Sequence, residues 1–360
     1  MDKIYLILAS GDVFEGNSIG ARAETVGEVV FTTAMTGYAG TICDSAFYGQ
    51  IVVQTFPLIG NCGVIPAEID KSGIGLKAYV IRQLCEVPSN FRCEGDFGTF
   101  LKENGIVGME GVDTRRLTRV IREKGVMNGV ISFSPELTEE QKKLLASYTV
   151  KGGVKAMSRS KASVMPAQGR CVAKVGVIDF GCAAGVSRDL ASRGCEVHIL
   201  PHKVSCEEVF AGGYDGIVLS SGAGDPREEK KGIELAGNLI AGIRPVLGLG
   251  LGHQLMALSQ GAEVTKMKSG HRGGNQPVKD VKSGRIYITS QNHGYVVNAD
   301  TLTAKAGKVT YVNANDGSCE GIGYKANKKA MSVQFSPESG VGPLDTQFIL
   351  DNFVAKMEEK

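Results

Sequence analysis

The sequence lacks three features, and each absence argues against one class of protein or site. No uninterrupted apolar stretch reaches the ~18 residues that a membrane helix requires, so no membrane partner is expected. No run of lysine and arginine stands out and the formal net charge is +2, which argues against a nucleic-acid partner. The nine cysteines include no CxxC pair, so free buried thiols are favoured over disulfides or a zinc site.

Two further sequence signals are absent. No GxxxxGK[ST] phosphate loop occurs, so the chain shows no nucleotide site of its own. The short apolar run within residues 1–10 follows Asp2 and Lys3 and precedes Gly11-Asp12. This pattern predicts a strand and a turn rather than a signal peptide. We therefore expect a soluble, cytoplasmic protein.

The length of 360 residues, 42% of them apolar, predicts two domains. We expect the first domain at 1–150, a linker at 151–172 and the second domain at 173–360. The linker is indicated because the sequence from Lys151 to Gln168 loses its apolar periodicity and is rich in Ser, Gly and Lys.

The first domain is predicted to be mixed α/β. Short β segments are expected, including 2–9 and 28–32, and a helix is expected at 114–123, entered through Asp113. The dipeptide Asn128-Gly129 predicts a tight turn.

The second domain is predicted to be α/β with a mostly parallel sheet. Apolar runs at 175–180, 196–200, 216–220 and 245–249 alternate with polar or helical stretches. Such alternation favours a parallel sheet flanked by helices on both faces. Because ligands bind in such sheets where loops leave the carboxyl ends of the strands, the loops after these runs are the candidate sites.

One of these loops, GLGLGHQ at 248–254, leaves a buried strand and enters the apolar helical stretch 255–258. This arrangement is typical of a nucleophile elbow, in which the middle residue lies on a sharp strand-to-helix turn. The middle residue here is Gly250, which offers no nucleophile. A dinucleotide-binding GxGxxG loop is excluded because its sixth position is His253. A tight connection that merely needs small residues is the alternative.

Three other loops carry polar or glycine-rich sequences: SSGAGDP at 220–226, SQNHGY at 290–295 and VQFSPE at 333–338. The glycines of the first could direct backbone N–H groups at an oxyanion. Together with the elbow, these loops resemble the class I (triad) glutamine amidotransferases. The resemblance narrows to the small subunit of carbamoyl phosphate synthetase, and it runs from end to end. The segments that carry it are GEVVF at 27–31, MTGY at 35–38, PLIGN at 57–61, DTRRLTR at 113–119 and KMKSGHRGGNQPV at 266–278.

The resemblance implies that the catalytic triad is degenerate. In that family the elbow carries a cysteine nucleophile, and Gly250 stands at this position. The family's histidine base lies in an HPE segment, which reads Ser336-Pro337-Glu338 here, so only the orienting Glu338 is retained. Thiol chemistry of this kind needs an imidazole beside the thiolate. Loss of nucleophile or base from such a unit costs on the order of 10⁶ in turnover, so we predict an inactive glutaminase site.

The resemblance also implies a glutamine pocket that is partly retained. The residues that would hold the substrate are Gly222, Gly224, Leu251, Gln254, Asn292, Gly294 and Tyr295. A serine that the first domain contributes in the family is replaced by Ala46, and the charged stretch after the first strand by Cys182-Ala183-Ala184-Gly185. We do not expect Cys182, or the histidines at 253, 271 and 293, to substitute for the missing groups.

Three functions remain open at this point. The first is a non-catalytic small subunit that docks on the large subunit of carbamoyl phosphate synthetase, which would use free ammonia for arginine or pyrimidine synthesis. The resemblance then implies no cofactor or metal in this chain, because ATP and a divalent metal belong to the large subunit. The second is an active glutamine-hydrolysing subunit. The third is a regulatory protein that binds glutamine and has left the synthetase.

Overall fold

The chain folds into two units, Met1–Lys151 and Gly152–Lys360, each with its own hydrophobic clusters. The structure is a computed structural model and describes residues 2–338 and 342–359. Within these residues, no helix is long and apolar enough to cross a membrane.

The first unit contains a closed seven-stranded barrel with the strand order β1-β2-β8-β6-β4-β3-β9, and a separate pair, β5 and β7. Its strands are β1 (Lys3–Leu8), β2 (Val13–Gly20), β3 (Thr25–Thr32), β4 (Gln50–Gln54), β5 (Leu58–Ile59), β6 (Ala78–Val80), β7 (Gln83–Leu84), β8 (Val107–Glu110) and β9 (Met127–Ser132). Its helices are α1 (Tyr38–Ile42), α2 (Phe97–Glu103), α3 (Thr114–Lys124) and α4 (Glu139–Ser147), with 3₁₀ turns at Ser45–Phe47, Pro66–Glu68 and Lys71–Gly73.

The helix predicted after Asp113 is confirmed as α3. Asp113 caps it, because its Oδ1 accepts a hydrogen bond of 2.9 Å from the backbone N–H of Arg116. The apolar residues Leu117 and Ile121 recur at helical spacing and are fully buried in the core of the barrel unit. The capping aspartate and the spacing of the apolar residues therefore both predict this helix.

The tight turn predicted at Asn128-Gly129 is wrong, since both residues lie inside strand β9. Packing explains the glycine: a Cβ on Gly129 would come within 2.5 Å of Val29 Cγ2 and 3.0 Å of Leu6 Cδ1. The Asn128 amide donates hydrogen bonds of 2.9 Å to the carbonyls of Leu145 and Tyr148. Close packing between strands, not a turn, selects this dipeptide.

The second unit contains a ten-stranded sheet with the order β10-β12-β11-β13-β14-β19-β18-β17-β15-β16. Its strands are β10 (Ser163–Met165), β11 (Ala173–Cys182), β12 (Cys195–Pro201), β13 (Gly216–Gly222), β14 (Val246–Leu249), β15 (Glu263–Asp280), β16 (Ile286–Asn298), β17 (Gly307–Asn313), β18 (Cys319–Tyr324) and β19 (Ala330–Val333). Its helices are α5 (Gly153–Met157), α6 (Ala184–Ser192), α7 (Cys206–Ala211), α8 (Lys230–Ile240), α9 (Leu251–Ser259) and α10 (Phe348–Glu358), with 3₁₀ turns at Pro226–Glu228 and Ala299–Thr301.

The predicted parallel sheet is present in this unit. β12, β11, β13, β14 and β19 pair in parallel, and the four apolar runs read from the sequence lie in the first four of these strands, apart from Pro245, which precedes β14. Alternate residues face opposite sides: Val177 packs with α6 and α10, whereas its neighbour Ile178 packs with α7, α8 and α9. Helices cover both faces, so the carboxyl ends of the parallel strands meet at one edge.

The segment predicted as a linker, 151–172, differs from that description. From Gly152 onward it belongs to the second unit, and it contains helix α5 and strand β10. β10 pairs antiparallel with β12 at the edge of the sheet. An edge strand with exposed side chains needs no apolar run, so composition alone did not indicate it.

Candidate functional site

The elbow is a sharp turn between β14 and α9 with Gly250 at its centre. Gly250 has φ 51° and ψ −107°, a conformation that residues with a side chain rarely adopt. Its N–H donates a 3.0 Å hydrogen bond to the carbonyl of Val333, the last residue of β19. Gly252 lies against the backbone of Leu219, where a Cβ would overlap the carbonyl oxygen. The glycines thus let α9 start directly above the sheet.

The hydroxyl of Ser221 lies in the space above Gly250. A Cβ added to Gly250 would overlap Ser221 Oγ and would lie 3.0 Å from its Cβ and 3.5 Å from its Cα. Ser221 is near the end of β13, paired in register with Cys182 at the end of β11. Sequence reasoning missed this residue, because nothing local shows that positions 221 and 250 meet.

The segment predicted to hold the base lies at the same edge of the sheet. It follows β19, whose last residue, Val333, accepts the hydrogen bond from Gly250 N–H. Ser336 is half-buried, and its N–H donates a 3.0 Å hydrogen bond to the carbonyl of Ser290. Glu338 is buried at 6% exposure, and its Cγ would lie 3.1 Å from a Cβ on Gly185. The structure therefore places Gly250, Ser336 and Glu338, which the resemblance assigns to a triad, at one edge of the sheet.

The predicted pocket residues Leu251 and Gln254 lie in the first turn of α9 and are buried. The Gln254 amide donates 2.9 Å hydrogen bonds to the carbonyl of Tyr295 and to Gln334 Oε1. Gln254 therefore connects the helix to strand β16 and fixes the backbone beside Tyr295.

Gly222 and Gly224 are at the carboxyl end of β13. A Cβ on Gly222 would overlap the carbonyl oxygen of Phe180, and Gly224 has φ 96°, so both positions require glycine. The next residue, Asp225, forms an ion pair with Arg227, and the Arg227 guanidinium lies 5.7 Å from the centre of the Tyr295 ring. This acid-base pair borders the site beside Tyr295.

Asn292, Gly294 and Tyr295 lie on β16, within its pairing with β15. Asn292 is paired with Arg272, and Tyr295 with Lys266. Ala46 lies in the first unit, in the 3₁₀ turn Ser45–Phe47, where its N–H donates a 2.9 Å hydrogen bond to Asp44 Oδ1.

Two buried histidines lie on the elements that form the site. His253, on α9, contacts Ser332 Oγ through Nδ1 at 2.8 Å, and its Nε2 has no hydrogen-bond partner among residues 2–338 and 342–359. His293, on β16, contacts the carbonyl of Tyr295 through Nδ1 at 2.8 Å. Burial lowers the pKa of His253 to about 3. Burial, and then the charge of His271, lowers the pKa of His293 to about 3.

The described residues contain one group with metal-ligand chemistry, formed by His271, His293 and Glu320, whose ligand atoms all lie within 4.8 Å of one another. The Gln291 amide lies among them: its Oε1 is 3.1 Å from His271 Nδ1 and 3.0 Å from His293 Nε2, and its Nε2 donates to Glu320 at 3.0 Å. A metal ion would have to displace this amide. The group therefore forms a buried hydrogen-bond network.

The charges in this network favour a protonated His271. Burial by itself lowers its pKa, but the hydrogen bonds and charges of Glu320 and Asp316 outweigh burial and raise it. His271 Nε2 lies 2.9 Å from Asp316 Oδ2. Burial raises the pKa of Glu320, although the hydrogen bonds from His271, Asn313 and Gln291 oppose this effect.

Comparison with known proteins places both units in described families. Residues 6–131 match the carbamoyl-phosphate synthase small chain, CPSase domain, and residues 176–357 match glutamine amidotransferase class-I. The chain is 40% identical over 361 residues to the carbamoyl phosphate synthase small chain of Listeria innocua, covering 100% of this chain and 98% of that protein. It is 40% identical over 352 residues to the small chain of Clostridium perfringens, with 98% and 99% covered. For the small chain of Fusobacterium nucleatum, the identity is 41% over 354 residues, with 98% of each chain covered. The chain belongs to the carbamoyl phosphate synthase small-chain family.

Proposed function

We propose that this small chain has an inactive glutaminase site and supports a large subunit that makes carbamoyl phosphate from free ammonia. The observation that carries the proposal is the elbow, where Gly250 occupies the nucleophile position and the Ser221 hydroxyl fills the space above it. Hydrolysis of the glutamine amide by a class I amidotransferase needs a nucleophile that attacks the carbonyl carbon. Glycine supplies none.

The missing base supports the same conclusion. Ser336 carries a hydroxyl at the base position, and a hydroxyl does not accept a proton near neutral pH. His253 and His293, with pKa values of about 3, are too weak as bases to deprotonate a thiol whose pKa is ~8.5. Glu338 retains the carboxylate position but has no imidazole at position 336 to orient.

The partner is inferred from the relatives and the first unit. The relatives are named small chains of carbamoyl phosphate synthase, and the residues that match the CPSase domain cover most of the first unit. We assign this unit to docking on the large subunit, in a heteromeric cytoplasmic enzyme. ATP and its divalent metal are then bound by the large subunit and not by this chain.

Reconstitution with the cognate large subunit tests the proposal. Carbamoyl phosphate is measured with ATP and bicarbonate, first with ammonium and then with glutamine as nitrogen donor, and glutamate release is followed in parallel. We expect synthesis with ammonium, and glutamine-dependent turnover on the order of 10⁶-fold below that of an intact triad. Ammonium serves as the control for the activity of the large subunit, and co-elution of the two chains in gel filtration serves as the control for assembly. Catalytic glutamate release by the purified complex would show that the site is active.

A further inference from the structure

We propose that Ser221 is a further determinant of the inactive site, because its side chain occupies the volume that a nucleophile at position 250 requires. This inference rests on the proposed function and deepens it. Restoring the nucleophile and the base by G250C and S336H would then be insufficient on its own. Removal of the Ser221 side chain would be needed as well.

The geometry separates the contributions of the Ser221 atoms. A Cβ on Gly250 overlaps Ser221 Oγ, lies 3.0 Å from Ser221 Cβ and lies 3.5 Å from Ser221 Cα. The first contact is impossible, the second is tighter than ordinary contacts between carbon atoms, and the third approaches the optimal separation. Rotation of the hydroxyl relieves the first contact but leaves the second. Alanine at position 221 therefore gives partial relief, and glycine gives more.

Both residues are tied to the sheet through their own or a neighbouring hydrogen bond. Gly250 is held by its hydrogen bond to Val333 and begins helix α9, which packs on the sheet. Ser221 is held in β13, where its neighbour Ser220 is fully buried and accepts a 2.9 Å hydrogen bond from the N–H of Phe180. Both residues have buried neighbours, and the pairing of β13 with β11 is irregular at Ser221, so the end of β13 would have to shift by a few tenths of an ångström to admit a side chain at position 250.

A double-mutant cycle on the full chain tests the steric part without any catalytic readout. The urea midpoint is measured for G250C in three backgrounds, Ser221, S221A and S221G. We expect G250C to lower the urea midpoint most in the Ser221 background, less in S221A and least in S221G. The control is S283G, a serine in the exposed turn between β15 and β16, which should leave the effect of G250C unchanged. Equal losses in all three backgrounds would overturn the inference.

The catalytic part is tested by glutamate release in the complex with the large subunit. We expect S221G with G250C and S336H to exceed the G250C and S336H double variant by at least tenfold, with S221A in between. Equal activity of the double and triple variants, with measurable turnover in both, would contradict the role of Ser221. If neither variant is active, the stability cycle decides the inference. Glutamate release by the natural chain would instead refute the proposed function. The double-mutant cycle of urea midpoints would still test the steric overlap between Ser221 and position 250.

Discussion

At the scale of single residues, Gly250 is subject to two constraints. Its backbone lies in a left-handed region, and the space next to its Cα is filled by Ser221 Oγ. A nucleophile held on such an elbow has a strained backbone, and strain of this kind costs about 1–3 kcal/mol. Glycine at this position removes that strain, so the chain gains stability where it lacks the chemical group.

We predict that G250A lowers the free energy of unfolding by about 2–4 kcal/mol, since backbone strain and steric overlap add. G261A is a matched control at the other end of α9: Gly261 has φ 83° but no atom within 4 Å of the Cβ position. That change should cost only about 1 kcal/mol of strain. Urea unfolding of both variants compares the two effects. Equal losses of unfolding free energy in G250A and G261A would mean that the Ser221 side chain moves away from position 250 with no cost in free energy.

At the scale of elements, one buried network joins four neighbouring strands of the second unit. His271 lies on β15, Gln291 and His293 on β16, Asn313 on β17 and Glu320 on β18. Glu320 is fully buried and lies 3.5 Å from His271 Nδ1. Buried polar groups of this kind are costly unless all of them are hydrogen-bonded. The network therefore fixes β16 and with it the backbone beside Tyr295.

We predict that E320A lowers the free energy of unfolding by about 1–3 kcal/mol, because the Gln291 amide loses its 3.0 Å acceptor and His271 loses the buried carboxylate 3.5 Å from its Nδ1, while Asp316 still faces its Nε2. E320Q should cost less, since its carbonyl oxygen still accepts a hydrogen bond. E263A, which removes an exposed glutamate at the start of β15, should change stability by less than about 0.5 kcal/mol. An E320A variant as stable as E263A would show that the network is not needed for folding.

The elements that the sequence predicted correctly are those with strong local signals. Helix α3 has a capping aspartate and helical spacing, and the strand-to-helix elbow has an apolar run followed by alternating glycines. The signals that failed are local preferences overruled by packing. Asn128-Gly129 favours a turn in isolation, but Gly129 is selected by its contact with Val29.

The part of the site that the sequence could not predict depends on residues far apart in the chain. The resemblance alone predicts that Gly250 stands at the nucleophile position and Ser336 at the base position. The overlap between Ser221 and position 250 could not be predicted in this way, because it follows from the register of β13 and β14 in the sheet. The four-strand network around Glu320 was missed for the same reason, as its members look like unrelated polar residues in sequence.

At the scale of the whole molecule, the histidines are distributed unevenly. All five lie in the second unit, at positions 198, 202, 253, 271 and 293, and none lies in the first. Burial lowers the pKa of His202, His253 and His293, whereas carboxylates raise the pKa of His271 despite burial. Histidine titration should therefore change the stability of one unit and not of the other.

We predict that acidification from pH 7 to 5.5 destabilises the second unit. A histidine with a folded pKa of about 3 and an unfolded pKa of 6.5 binds its proton only after unfolding, so stability falls as the pH drops below 6.5. For His253 and His293 this loss is about 1 kcal/mol each at pH 5.5. His271 has the opposite effect, since its raised pKa stabilises the fold at low pH, and it offsets part of the loss.

Pulse proteolysis in urea, with fragments assigned by mass spectrometry, should show a lower urea midpoint for residues 152–359 at pH 5.5 than at pH 7, and H253Q should reduce that shift. An unchanged midpoint in the second unit, or an equal shift in the histidine-free first unit, would contradict the assignment of neutral buried imidazoles.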